Sequence, residues 1–279
     1  MAEKQIYKFT NEITEVEVKS IGAKIVLVPA DDGAITAEYE NPKDNPKFCA
    51  VLLENKLSFK ETPFINIFGN KAEEDYKITV YLPKKDFAKI TVTTTHGGVD
   101  VRGVKADKFD LNTASGDIFV NAEFSEIRVK TASGKITVKN SPEITARLVK
   151  VNSASGNIEI DARTEKFSIC SASGNTVYNN ACGEGSVSVA SGKIDLNYGE
   201  WNGALNISAV SGDVTAALPN GSGMDVDFDG ISGILKTDLG SEKGKLMNLG
   251  IGTRGTFGGE NLHKINVKLT SGNVTVKQQ

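Results

Sequence analysis

The sequence predicts an all-β protein in which the chain winds into a parallel β-helix, or β-solenoid, of repeats about 20 residues long. Three observations lead to this prediction. A Ser-Gly pair recurs along the chain, apolar and polar residues alternate on both sides of it, and the 279 residues include 28 glycines but only 7 prolines. Alternation with a period of two indicates β-strands, and abundant glycine indicates many tight turns.

The Ser-Gly pair returns at a nearly constant spacing. Successive glycines of the pair are 18, 22, 18, 18, 20, 21 and 39 residues apart. The last interval is about twice the others, which predicts one degenerate repeat within it. Upstream, residues 94–101 fit the same frame with His96 in place of the serine. The glycines of the pair are Gly116, Gly134, Gly156, Gly174, Gly192, Gly212, Gly233 and Gly272.

Each repeat is predicted to contain a strand, a corner, a second strand and a loop. The positions two, four and six residues before the serine, and three and five after it, are mostly apolar, while the positions between them are polar. Such strands place one face in a core and the other in solvent. In one repeat these inward positions are Ile127, Val129, Thr131, Ile136 and Val138.

Two architectures fit the repeat locally. Gly followed by Asp, Asn or Lys can form a two-residue hairpin, which would give an antiparallel meander. Alternatively, each repeat is one coil of a parallel β-helix with Ser-Gly at its corner. A meander leaves a long apolar face that needs a second layer, whereas a coil buries that face against its own far side and the coils beside it. Burial therefore favours the β-helix.

The β-helix predicts that the corner serines stack in a column about 4.8 Å apart. A hydroxyl can donate and accept, so each serine can bridge to a neighbour or to corner backbone, and glycine permits the positive φ of a tight corner. The predicted column is Ser115, Ser133, Ser155, Ser173, Ser191, Ser211, Ser232 and Ser271.

The first 95 residues are less regular, and we expect them to form an irregular β segment that caps the β-helix. Within them, Lys47–Glu61 predict a hairpin around Glu54-Asn55, and residues 61–76 predict a loop. Tyr76–Thr95 predict two strands joined by a turn that contains proline.

The β-helix itself is expected over residues 96–279, with residues 1–279 forming one continuous domain. Leu218–Glu260 are rich in glycine and predict longer loops, followed by a final coil over His263–Lys277. No segment has the pattern of an amphipathic helix.

Composition narrows the functional classes. The net charge of −3 gives no general attraction to nucleic acid or anionic lipid. The scattered Cys49, Cys170 and Cys182 predict buried or half-buried thiols and no disulfide framework. The N-terminus lacks the apolar run of a signal peptide, and no stretch reaches the length of a membrane span, so the sequence predicts a cytoplasmic protein.

The repeated "TASGKITV" pattern, the segment "ITVYLPKKDFAKITV" and the C-terminal "FGGENLHKINVKLTSGNVTV" resemble the bacterial DUF4097 family. The resemblance covers about Ile13–Val276. It implies a right-handed parallel β-helix and a candidate adhesin without established catalytic residues. It also implies an association with the bacterial cell envelope, and some members look tied to envelope-stress responses.

Three aspartates form the strongest candidate for chemistry. Asp225, Asp227 and Asp229 alternate in "MDVDFDG", so a strand would place all three carboxylates on one face. Their spacing of roughly 6.5–7 Å is near that of the paired acids of inverting glycosidases, and adjacent carboxylates can also hold Ca²⁺. An ordinary solvated strand face explains them more simply.

Other motifs are weaker. Gly250, Gly252 and Gly255 match G-x-G-x-x-G, but the following residues alternate like a strand and do not begin a helix, so a glycine-rich loop is expected and no cofactor. His96 and His263 supply neither a zinc spacing nor a catalytic triad. Trp201 with Tyr198 could form a small aromatic contact surface, although packing of a loop is the simpler interpretation.

The sequence therefore predicts a non-enzymatic binding or scaffold protein whose outer faces offer rows of polar side chains to a protein or glycan partner. Two alternatives remain open. One is a carbohydrate-active enzyme that uses Asp225, Asp227 and Asp229, and the other is a solenoid that assembles with further copies of itself through an uncovered end.

Overall fold

The computed structural model describes residues 3–41, 47–62, 76–240 and 246–279, and its strands cluster into two compact units, residues 1–141 and 142–279. Every regular element in the described residues is a β-strand. The predicted all-β class and the predominance of parallel pairing are confirmed. The expected division at residue 95, the handedness and the single continuous domain remain predictions.

Unit 1 contains eleven of the described strands, two of them long and bent. The strands are β1 (Glu3–Phe9), β2 (Glu15–Lys19), β3 (Lys24–Ala30), β4 (Ile35–Asn41), β5 (Lys47–Leu53), β6 (Lys56–Thr62), β7 (Lys77–Pro83), β8 (Asp86–Thr94), β9 (Val99–Ser115), β10 (Ile118–Ser133) and β11 (Ile136–Lys139).

Parallel pairing organises most of unit 1. One row of neighbours runs β7, β3, β9, β10 and β11, and a second row runs β6, β2, β8, β9 and β10, with every pair parallel. The coil formed by β2 and β3 therefore lies between the coil of β6 and β7 and the coil of β8 and β9, although it comes first in the chain. Chain order and stacking order differ at this end.

Antiparallel strands cover the outer edge of this arrangement. β4 pairs antiparallel with β7, β1 pairs antiparallel with β4, and β5 pairs antiparallel with β6. The β5–β6 hairpin turns at Glu54, which has a positive φ of 53°, so the predicted hairpin is confirmed. The predicted loop over residues 61–76 falls largely on residues 63–75, outside the described part of the chain.

Unit 2 contains sixteen described strands, most of them shorter. They are β12 (Thr145–Ala146), β13 (Leu148–Ser153), β14 (Ile158–Asp161), β15 (Arg163–Thr164), β16 (Lys166–Ser171), β17 (Thr176–Ala181), β18 (Glu184–Val189), β19 (Lys193–Tyr198), β20 (Leu205–Ala209), β21 (Asp213–Leu218), β22 (Ser222–Gly230), β23 (Ile234–Thr237), β24 (Met247–Leu249), β25 (Arg254–Gly258), β26 (Asn261–Leu269) and β27 (Asn273–Gln278).

The first part of unit 2 stacks in chain order. One row runs β13, β16, β18 and β20, and the other runs β14, β17, β19 and β21, all parallel. Homologous positions of successive coils are direct neighbours, as in the pairing of Val187 with Ile169 and with Ile207. One repeat of the sequence therefore corresponds to one coil of the structure.

The order changes at the far end of unit 2. β26 pairs in parallel with both β20 and β22, and β27 pairs in parallel with both β21 and β23. The last coil in the chain therefore lies between the two coils that precede it. Beyond it, β25 and β24 pair antiparallel with β22 and β23.

Two expectations for this region were wrong. Leu218–Glu260 do not form mainly loops, because β22, β23, β24 and β25 lie there. The 39-residue interval holds no degenerate repeat among its described residues, since β24 and β25 pair antiparallel at the end of the unit. Apolar and polar residues alternate in β22, and only some of the glycines, such as Gly221 and Gly252, lie in turns.

The core lies inside the coils, where the alternation predicted it. Val129 is fully buried and Lys130, the next residue, is exposed. In unit 2 the inward residues of β19, Ile194 and Leu196, are fully buried as well. Burial of such side chains contributes roughly 1.5–3 kcal/mol each, so the coil interior dominates stability.

Candidate functional site

From Ser173 onward, the corner serines of unit 2 bond to the backbone of the neighbouring coil. In Ser191 both the backbone N–H and the hydroxyl donate to the carbonyl of Ala172, at 2.9 and 3.2 Å. The same pair of bonds recurs at four other corners. The hydroxyl acceptors are Ala154 for Ser173, Ala190 for Ser211, Val210 for Ser271 and Thr270 for Ser232.

These bonds also give the order of the corners. Ser271 donates to the carbonyl beside Ser211, and Ser232 donates to the carbonyl beside Ser271, so Ser271 lies between the other two. Ser155 lies at the corner next to that of Ser173, because the Ser173 hydroxyl donates to the carbonyl of Ala154, the residue before Ser155. In unit 1, Ser115 is the register partner of Ser133, and its hydroxyl lies 3.3 Å from Nδ1 of His96.

Close stacking explains the corner glycines. Gly192 has a φ of 117°, and a Cβ added there would lie 2.2 Å from the carbonyl oxygen of Gly174. No larger residue fits such an approach. The residue after the glycine also links neighbouring corners. The carboxylate of Asp117 accepts the N–H of Lys135 at 2.7 Å, and the side-chain oxygen of Asn157 accepts the N–H of Asn175 at 3.1 Å.

A second hydroxyl supports the corner from inside, and sequence reasoning missed it. Thr131 is buried, and its hydroxyl donates to the carbonyl of Ser133 at 2.7 Å. Ser171 makes the equivalent bond to Ser173 at 3.1 Å. The signal was a hydroxyl two residues before the corner serine, at a position that the period marked as inward. The corner column is thus built for stacking.

The three aspartates lie on the outer face of β22 and face basic neighbours. Asp227 accepts a hydrogen bond from Nε of Arg254 at 3.1 Å. In register, Asp225 is opposite Lys264 and Asp229 is opposite Lys268. In the part of the chain that the structure describes, no group of three His, Cys, Asp or Glu side chains is arranged to hold a metal ion. Charge pairing across strands accounts for Asp227, and the lysines opposite Asp225 and Asp229 in register favour an ordinary solvated strand face.

The remaining predicted motifs have local roles. Gly250 and Gly252 lie in the turn before β25, and Gly255 lies within that strand, which gives no helix for a nucleotide. The three cysteines are free, and Cys170 is exposed, so the expectation of buried or half-buried thiols is wrong for that residue. No helix in the described ranges could span a bilayer.

Among the residues that the structure describes, a groove of about 710 Å³ in unit 2 is a candidate binding site. Three connections form it: residues 199–202 after β19, residues 219–222 between β21 and β22, and residues 260–263 at the start of β26. They meet where the last coil enters between the two before it. The lining residues are Gly199, Glu200, Trp201, Asn202, Pro219, Asn220, Gly221, Ser222, Glu260, Asn261, Leu262 and His263.

Backbone bonds hold these connections in place. Asn202 N–H donates to the carbonyl of Cys182 at 2.8 Å, and Gly259 N–H donates to the carbonyl of Ser222 at 3.2 Å. The hydroxyl of Ser222 donates to the carbonyl of Pro219 at 2.7 Å and closes the tight turn between β21 and β22. The groove is therefore largely pre-formed, as ligand sites usually are.

Two aromatic side chains, Trp201 and His263, line the groove, and Tyr198 packs against Trp201. The ring of Trp201 lies 4.8 Å from that of His263 and 6.1 Å from that of Tyr198. Trp201 is only 5% exposed and Tyr198 is fully buried. Burial, with a smaller contribution from Cys182, raises the pKa of Tyr198 well above its usual value. The two aromatic residues singled out in the sequence thus pack together, and His263 joins them.

Charge in the groove is mixed and partly compensated. Arg163 donates to Oε1 of Glu200 at 3.0 Å, and this hydrogen bond raises the pKa of the guanidinium. Asn202 donates to the other carboxylate oxygen of Glu200 at 3.4 Å. Glu260 is exposed on the opposite connection. The chemical groups of the lining therefore include three amides, two carboxylates and the rings of Trp201 and His263.

Comparisons with known proteins concern the whole chain. The family model described as Toastrack DUF4097 matches residues 13–277. No curated protein matches this sequence.

Several solved structures are similar. A candidate lipid-binding protein from Parabacteroides distasonis is 14% identical, with 98% of this chain and 96% of that chain covered and a TM-score of 0.59. A candidate adhesin from Bacteroides fragilis is 12% identical, with 99% and 97% covered and a TM-score of 0.44. At such identity the first likeness shows the fold alone.

Proposed function

We propose, from the premise that this chain belongs to the Toastrack DUF4097 family, that it is a non-enzymatic binding scaffold which holds its partner in the groove of unit 2. The single observation that carries the proposal is the groove itself. Elsewhere in the repeats the corner residues serve stacking, whereas these connections bring aromatic, amide and carboxylate side chains to one concave surface.

The family supports a binding role at the cell envelope, because the resemblance described above is to candidate adhesins. A relative of the same fold is named as a candidate lipid-binding protein, so lipids belong among the ligands to be tested. The proposed partner is a glycan, lipid or protein of the bacterial envelope.

The enzymatic alternative has less support. Asp225, Asp227 and Asp229 do not line the groove, and their register partners include Lys264, Arg254 and Lys268. Asp227 is ion-paired with Arg254. The outer face of β22 therefore favours a structural role.

An array of glycans, lipids and envelope proteins tests the proposal. We expect the wild-type chain to bind at least one class, and we expect Asn220→Arg, which places a long side chain in the groove, to abolish that binding. Asn152→Arg is the matched control, because Asn152 lies on β13 and outside the groove lining. Binding that survives Asn220→Arg, or no binding at all, would refute the groove as the functional site.

A further inference from the structure

We infer that the occupant of the groove is an oligosaccharide without negative charge, an inference that rests on the proposed function and names its ligand class. Amides, apolar contact surface and the charge of the lining each support it. They come from different residues and can be tested separately.

The amides provide the polar part of the argument. Asn202, Asn220 and Asn261 come from the three different connections, and all three are exposed. Each carboxamide offers two N–H donors and a carbonyl acceptor. Neighbouring hydroxyls of a sugar also donate and accept, so an amide can bond two of them at once. Three amides around one groove suit a ligand that carries hydroxyls along its length.

Apolar contact surface lies between these amides. Leu262 is 47% exposed, and His263 is half-buried with its ring against Trp201. A sugar ring has one face of C–H groups that packs on such a surface while its hydroxyls point sideways. Because Trp201 is mostly buried, it supports the His263 ring and contacts the ligand only at its edge.

The indole N–H of Trp201 adds an independent observation. This nitrogen is buried and has no acceptor among the described residues. Buried donors in native proteins nearly always have a partner. A ligand oxygen or a water held beneath the ligand would complete this bond, and an oligosaccharide supplies many such oxygens.

Charge separates this ligand from the alternatives. Glu200 and Glu260 oppose phosphate groups and anionic lipid, and Arg163 is engaged with Glu200. A cationic peptide would need more uncompensated carboxylates than Glu260 alone provides. An acyl chain would bury the amides without hydrogen-bond partners, which disfavours its binding.

The test uses the only tryptophan of the chain, Trp201, as a reporter of the groove. Cellotetraose, chitotetraose and maltotetraose are titrated into the full chain, with tryptophan emission and calorimetric heat recorded. Tetralysine and vesicles that contain phosphatidylglycerol are titrated in parallel. We expect a saturable change in emission with at least one oligosaccharide and none with the other two probes.

Single substitutions test whether Asn220 and Asn261 contact the oligosaccharide. Asn220→Ala and Asn261→Ala should each weaken oligosaccharide binding about tenfold, as expected for losing hydrogen bonds to a bound ligand. Asn152→Ala, on the outer face of β13, should leave the affinity unchanged. Circular dichroism and thermal melts of each variant show whether a loss reflects unfolding, and Asn261→Asp, which keeps an acceptor, should retain more affinity than Asn261→Ala.

The outcomes separate the two proposals. Binding of tetralysine or vesicles with no response to any oligosaccharide would overturn the ligand class while leaving a binding scaffold in place. Oligosaccharide binding that both asparagine variants retain would overturn the site. Shortened products on chromatography after incubation would overturn the non-enzymatic function while leaving the ligand class intact.

Discussion

The regular coils and the end coils of this protein share one strand pattern but differ in how the chain connects them. The regular coils comprise residues 99–139 in unit 1 and 148–218 in unit 2, where coils adjacent in sequence are adjacent in space. The end coils comprise residues 222–278, where the coil that is last in sequence lies between the two before it. The groove lies at this change of order.

The regular coils and the end coils differ in stacking order although both contain the repeat, so the repeat does not specify that order. A repeat specifies which side chains face inward and where the corner lies, and any two coils with this pattern can pair. Connection length does not decide which coils are neighbours, since only residues 219–221 separate β21 from β22, whose coils lie on either side of the last coil. After Leu218 the chain passes directly into β22, and the longer path through β24 and β25 lets β26 return to β20.

A charge inside a regular coil should have the largest effect. Val129→Asp places a carboxylate among fully buried apolar side chains, and we expect a loss of about 3–5 kcal/mol in the free energy of unfolding, or failure to fold. Thermal and urea melts measure the loss.

Two variants that place the same carboxylate at exposed positions serve as controls. Lys130→Asp changes the next residue, which faces solvent, and Ile231→Asp changes a residue of an end coil that is 80% exposed. Both should alter stability by less than about 1 kcal/mol. A cost for either variant equal to that of Val129→Asp would mean that the facing of the strands is misassigned.

Corner glycines should distinguish stacked corners from end turns. Gly192→Ala brings a Cβ to 2.2 Å from a backbone oxygen of the next coil and keeps a φ of 117°. The expected loss is about 3 kcal/mol, from strain and overpacking together. Gly252, in the turn before β25, has a φ of 83° and nothing within 4 Å of an added Cβ.

For Gly252→Ala we expect about 1 kcal/mol, since only the backbone conformation is strained. Chemical denaturation of both variants at one pH gives the comparison. Equal losses would show that the close approach between stacked corners adds no energy.

The inner hydroxyl should have an intermediate effect. Thr131→Val keeps the shape of the side chain and removes its bond to the carbonyl of Ser133, so we expect a loss of about 1 kcal/mol. Nearer the end coils the same position is already apolar, as in Val189 and Leu269. Chemical denaturation measures the loss, and unchanged stability in Thr131→Val would show that this hydroxyl does not support the corner.

The outer serine should have the smallest effect. The Ser191 hydroxyl is exposed and shares its acceptor with the backbone N–H of the same residue. Ser191→Ala should cost about 0.5 kcal/mol or less, because water replaces the bond. A cost above that of Thr131→Val would show that the outer column, and not the inner hydroxyl, holds the corners.

The sequence predicts the regular coils well because their signal is local. Alternation identifies Val129 as inward and Lys130 as outward, and the period identifies which serines share corners. The order of Ser211, Ser271 and Ser232 depends on a long-range choice of strand partner. No periodicity records that choice, since all three coils carry the same pattern.

The groove could not be predicted from the sequence for a related reason. Trp201 drew attention as an aromatic residue, but His263 and Asn220 are 62 and 19 residues away from it. Only the entry of β26 between two earlier coils brings them together. Residues of a site that forms where chain order breaks have no common spacing.

Disulfide formation between strands tests the central claim most directly. In a Cys170→Ser background, Ser208→Cys with Lys268→Cys joins register partners on β20 and β26, about 4.8 Å apart as neighbouring strands are. Ser208→Cys with Asp229→Cys joins β20 to β22, two strand spacings apart and beyond the reach of about 7 Å between bridged Cα atoms. Under mild oxidation the first pair should form a disulfide and the second should not. A disulfide in the second pair alone would show that the coils stack in chain order and would contradict this account.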